Sequence, residues 1–259
     1  LAEIEARTIV LRAIWPFRRK PIVDADTAAW HIENMGWLIR EFGGRDGLTE
    51  LTLVLPKPGF FTFEGEQGHT LALRLFDQVR GYCGMSDWEV DLIADDNPLA
   101  ASAPIGVAMV VPQKHAAGTF SIDGNRVQIT YTTAQLQRPD RLIATFAHEL
   151  AHYLLATATS SPPCDDDEIE FLTDLAAVYL GFGVFLANTR FEFEAIGDGS
   201  MQGWRWQNAG YLPEADLIFA LALFLRAKEQ DERPACEALK PHLSKMLRRA
   251  MSELPADIF

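Results

Sequence analysis

His148-Glu149-Leu150-Ala151-His152 decides how the rest of this 259-residue chain is read. Two histidines four apart in a helix project from one face, one above the other. That spacing places two imidazole nitrogens on one zinc ion, about 2.0–2.1 Å from each. Glu149 is turned by about 100° from His148, near enough to hold a water beside the ion and take its proton. Ile143, Phe146, Ala147, Leu150 and Leu154 form an apolar stripe roughly opposite the histidines, so the helix is expected to be buried on that side. Pro139 and Asp140 supply a helix start, through a fixed φ and an acidic side chain near the N-terminus. With six histidines in the chain, H-E-x-x-H arises by chance roughly once in a hundred such sequences. The competing reading is a surface helix with two solvated histidines.

A catalytic zinc site needs a third protein ligand and keeps a fourth position open. Pro162 and Pro163 end the preceding segment, and Asp165-Asp166-Asp167-Glu168 suits the positive end of a new helix. Asp165 to Asp167 read as a solvated, dipole-matched start. Glu170 and Asp174 differ: they share a face, and the chain around them (Phe171, Leu172, Leu175, Ala176, Ala177, Val178) is apolar. Carboxylates in a buried helix need partners. Glu170 is expected on zinc and Asp174 behind a ligand histidine, holding its free ring nitrogen.

H-E-L-A-H followed by E-F-L-T-D resembles the gluzincin metallopeptidases, and its E-F-x-x-D form is most similar to the CAAX-prenyl-protease and heat-shock membrane peptidase branch. The resemblance covers residues 140–181. It implies His148, His152 and Glu170 as zinc ligands, Glu149 as general base and Asp174 as the partner of a ligand histidine. It also implies an α+β, zincin-like core: a small sheet with a hairpin edge, an active-site helix and C-terminal helices. That branch is embedded in membranes, and no stretch here reads as the roughly 18 apolar residues of a span; Leu175 to Ala187 is the nearest. The likeness therefore speaks to chemistry more than to substrate.

Working outward, residues 105–259 are expected to hold the metal site and residues 1–104 to form an N-terminal α/β region packed on it. Asp26 to Phe42 and Thr70 to Tyr82 read as helices, and Leu51 to Leu55, Trp88 to Ile93 and Ile105 to Val111 as strands. Two β-rich runs, Thr119 to Ile122 and Arg126 to Tyr131, flank Asp123-Gly124-Asn125, a hairpin signal. The gluzincin resemblance implies an edge strand there that pairs with an extended peptide through main-chain hydrogen bonds; the alternative is an ordinary hairpin that meets no ligand. Asn188 to Leu212 reads as a loop that walls a cleft or is anchored on the core by its aromatics. Pro213 to Lys228 and Pro234 to Leu254 read as closing helices. Tyr211, Arg205 and His242 are the candidates to stabilise an oxyanion, Tyr211 first because it lies in the loop just before a helix.

The net charge of −13 argues against nucleic acid and anionic membrane surfaces as partners and favours cationic or neutral ones; a peptide or protein substrate is what the zinc-peptidase reading implies. Three dispersed cysteines with no C-x-x-C suggest reduced thiols and a cytoplasmic setting. Cys164, between the two metal motifs, reads as an unreactive loop thiol or a group near the zinc. His31 reads as a packing or surface histidine, and neither His69 nor His115 is given a metal role. The expected function is a soluble zinc peptidase with Zn2+ as cofactor. The alternative is a zinc-binding regulatory or scaffold module of weak, latent or no activity.

Overall fold

The structure, a computed structural model, describes residues 20–95, 118–123, 126–194 and 211–259. Asp24 precedes the first of the described helices, α1 (Ala25–Glu41), and its carboxylate accepts from the Asp26 and Thr27 amides, donors that a helix start leaves open. The short α2 (Gly44–Glu50) and the longer α3 (Gly68–Tyr82) follow. Between them, Leu51 to Leu55 belongs to no strand, contrary to expectation. Leu53, Val54 and Leu55 are buried, but the backbone bonds elsewhere. The Val54 amide donates to the Gly181 carbonyl (3.0 Å), and the Leu51 carbonyl accepts from the Lys228 ammonium (2.6 Å). A buried apolar run has the same pattern whether its backbone finds a sheet or a helix kink.

Three strands, β1 (Val90–Ala94), β2 (Gly118–Asp123) and β3 (Arg126–Tyr131), form a sheet in the order β1-β3-β2. β2 and β3 pair antiparallel, as the hairpin pattern predicts, while β1 runs parallel to β3 with Leu92 opposite Ile129. The strand expected at Ile105 to Val111, the expected boundary at residue 104, and the turn residues Gly124 and Asn125 lie outside the described residues.

After a 3-10 turn at Thr133–Gln137 comes α4 (Pro139–Ala156), with Pro139 in its first turn and Asp140 beside it. Its stripe of Ile143, Phe146, Ala147, Leu150 and Leu154 is buried throughout. The acidic run makes a 3-10 turn at Asp166–Glu168: the Asp165 carboxylate takes the Glu168 amide while the Glu168 carboxylate takes the Asp165 amide. Then follow α5 (Ile169–Ala177), a π turn at Val178–Phe182 and α6 (Gly183–Glu194). α4 packs against α3, α5, α6 and the β2–β3 hairpin.

The 25-residue helical run from Asp166 to Arg190 is long and apolar enough to cross a membrane, a correction to the expectation that no stretch reaches span length. In the fold, 89% of its most apolar window is buried. α6 also extends through Asn188 to Glu194, where a loop was expected. Polar side chains in that stretch are satisfied by neighbours: Asn188 donates to the Ala238 carbonyl and accepts from the Lys240 amide, and Thr189 donates to the Phe185 carbonyl.

α7 (Glu214–Ala227) is buried at every position from Leu217 to Leu225. Two helices, α8 (Arg233–Ala238) and α9 (Pro241–Glu253), stand where one was expected, because Pro241 forces the residue before it out of helical geometry. The architecture is α+β: a small mixed sheet on one side and helices built around α4, α5 and α7.

Candidate metal site

His148 and His152 lie one turn apart on α4, with ring centroids 4.8 Å apart, and α5 packs alongside and brings Glu170 to them. Glu170 Oε2 is 3.3 Å from His148 Nε2 and 3.4 Å from His152 Nε2. That oxygen is buried and, among the described residues, has no hydrogen-bond partner of good geometry. One ligand atom from each of the three side chains falls within 4.8 Å of the others, a set able to hold one metal ion. Two imidazole nitrogens and a carboxylate oxygen otherwise unmatched are what a divalent cation completes. Two neutral nitrogens and one carboxylate suit zinc among the common divalent ions.

The outer face of each ring is also committed. His148 Nδ1 donates to Asp174 Oδ1 at 2.9 Å, since a carboxylate can only accept, which leaves Nε2 free to bind a cation. Thr173 Oγ1 donates to the Ile169 carbonyl at 2.8 Å and faces His152 Nδ1 at 3.3 Å. Asp174 has a second task, for its Oδ2 accepts from the Leu212 amide at 2.7 Å.

Burial disfavours charge on His148, yet the Asp174 hydrogen bond and the Glu170 carboxylate outweigh it and raise its pKa well above the ordinary value. Burial also pushes Glu170 up, but the two histidines reverse that and hold its carboxyl below the usual range. Glu149 is only 5% exposed, and its pKa is raised by burial against the pull of both histidines. A carboxylate with a raised pKa accepts a proton more readily than one in water.

Tyr211 reaches the cluster: its ring lies 5.3 Å from that of His148, and burial followed by the carboxylates of Glu149, Asp174 and Glu170 keeps its phenol protonated. Phe120 of β2 stacks on His152 at 6.1 Å, so the hairpin borders the cluster. The other oxyanion candidates are placed differently. His242 faces Glu214 at 3.4 Å, and Arg205 lies outside the described residues. Cys164 is half-buried, with its thiol pushed up to about 11 by burial and the adjoining acidic run, and it is not part of the His/His/Glu cluster. His69 stacks on Tyr131, and His31 is fully buried against Asp216.

Thr173 and Arg190 are the neighbours of the site that sequence reading missed. Thr173 sits inside the E-F-L-T-D stretch, one residue before the aspartate already singled out. No family model matches this chain, and no curated protein or solved structure is significantly similar to it. The likeness to gluzincins rests on the local motif alone.

Proposed function

We propose that the chain binds one zinc ion through His148, His152 and Glu170 and acts as a zinc peptidase. The observation that carries the metal reading is the buried, unmatched Glu170 Oε2 facing two imidazole nitrogens whose other nitrogens are already engaged. A bound zinc would supply Lewis-acid polarisation of a carbonyl and acidify a water. Glu149 takes the proton of the attacking water and passes it to the leaving amine nitrogen. Tyr211, neutral and beside His148, donates to the oxygen that gains charge. An extended peptide lying along β2, whose Phe120 touches His152, would present its carbonyl to this group of side chains.

A second reading shares the metal and omits efficient hydrolysis: a zinc-binding regulatory or scaffold module with latent activity. Burial favours it, since His148 and Glu149 are 7% and 5% exposed and Tyr211 covers one side of the His148 ring. One set of variants separates the two. His148→Ala and His152→Ala should each lose zinc; stoichiometric zinc in both would remove the site. Glu170→Ala should lose most zinc, whereas Asp174→Asn should keep it with affinity lowered roughly 10–100-fold. Glu149→Gln should keep zinc and lose peptide hydrolysis. A wild type that binds zinc and cleaves nothing across a broad peptide library selects the module.

A further inference from the structure

Arg190, near the end of α6, is 4% exposed, and nothing above uses its charge. A guanidinium taken out of water needs opposite charge or a polarisable face close by. Its carbon lies 5.6 Å from the centroid of the Tyr211 ring, a cation–π arrangement, and its Nη2 donates to the Tyr211 carbonyl at 3.4 Å. The next peptide amide, that of Leu212, donates to Asp174 Oδ2 at 2.7 Å, and Asp174 Oδ1 takes the His148 Nδ1 proton at 2.9 Å. Tyr211 is thus held at its ring, at its carbonyl and one atom beyond it, between a buried cation and a ligand-bearing helix.

A residue needed only to close a loop over a core requires neither a buried cation nor two pinned backbone atoms, and any large apolar side chain would serve.

We propose that Arg190 is a positioning residue: together with Asp174 it fixes Tyr211 against the metal site, so that the phenol hydroxyl meets an oxygen ligand bound there. This rests on the metal reading above, not on peptide hydrolysis.

The test uses the full chain loaded with cobalt(II) in place of zinc, titrated with acetohydroxamate and followed by the visible absorption of the cobalt. Tyr211→Phe should weaken acetohydroxamate about tenfold, the size of one hydrogen bond to a charged oxygen. Arg190→Met should weaken it by a similar factor with cobalt content unchanged, and should add nothing in the Tyr211→Phe background. Arg190→Lys keeps the charge and loses the fork, so it should recover part of the affinity, again only when Tyr211 is present. If Arg190→Met does not fold, Arg190→Lys carries the same comparison. Additive losses in the double variant, or acetohydroxamate affinity untouched by Arg190, overturn the inference while the metal site stands. A wild type that takes up no cobalt or zinc overturns both. The non-additive pattern supports the inference whether or not a separate assay finds peptides cleaved.

Discussion

The hydroxyl of Thr173 has one hydrogen, and the Ile169 carbonyl receives it, so His152 must be the donor in their contact. Thr173→Val keeps the shape, removes the acceptor and leaves a partly buried ring N–H without it. Zinc affinity should drop roughly tenfold or more, with Thr173→Ser close to wild type, as competition against a chelator would read. His148 carries a proton in the metal-free site well above the usual histidine range, because Asp174 and Glu170 overcome its burial. Zinc must displace that proton, so uptake at neutral pH should release about one proton per chain into a weakly buffered solution. Affinity should fall as pH falls. The two histidines, Glu170 and Asp174 could be brought together from the sequence because each pair sits on a single helix whose spacing aims it. Thr173 could not, since a threonine in an apolar helix looks like packing until the facing helix is known.

Gly181 breaks the long helical run at φ 97°, in the left-handed region that favours glycine, and its carbonyl receives the Val54 amide. A Cβ there would stand 2.0 Å from the Thr52 carbonyl oxygen. Gly181→Ala should therefore destabilise the fold by at least about 2 kcal/mol, measured by denaturant unfolding, and should lower zinc retention on heating. This one contact explains two departures from the sequence reading. Leu51 to Leu55 has a strand's composition but spends its backbone on the kink and on Lys228, and Asp166 to Arg190, where no stretch reads as a span, forms one long helical run that the kink bends within the core. The hairpin and α4 were legible because their signals are local. The parallel pairing of β1 with β3 depends on where a distant segment returns, and no local pattern encodes that.

At the scale of the molecule, α1 ties together segments from three parts of the chain. Trp30 donates to Glu168 at 3.1 Å, His31 bonds Asp216 at 3.1 Å, and Trp37 donates to Ser160 at 2.9 Å. Those partners begin α5, begin α7 and link α4 to α5, so α1 braces the elements around the metal site. Glu41, at its end, takes hydrogen bonds from the hydroxyls and amides of Thr159 and Ser160. The hydroxyl of Ser160, then that of Thr159, hold its carboxyl down to about 2. A carboxyl lowered in the fold stabilises it above the unfolded value and loses that contribution as pH falls through the folded one. The Tm difference between wild type and Glu41→Gln should accordingly be full above pH 5 and shrink between about 4.5 and 2. These ties also set a schedule. The partners of Trp30, His31 and Trp37 lie 138, 185 and 123 residues further along. A ribosome adding about 5–20 residues per second delivers the last of them roughly ten to forty seconds after α1. Through that interval α1 has emerged with part of its apolar face uncovered, and the buried His31 has no acid to bond until α7 has been made.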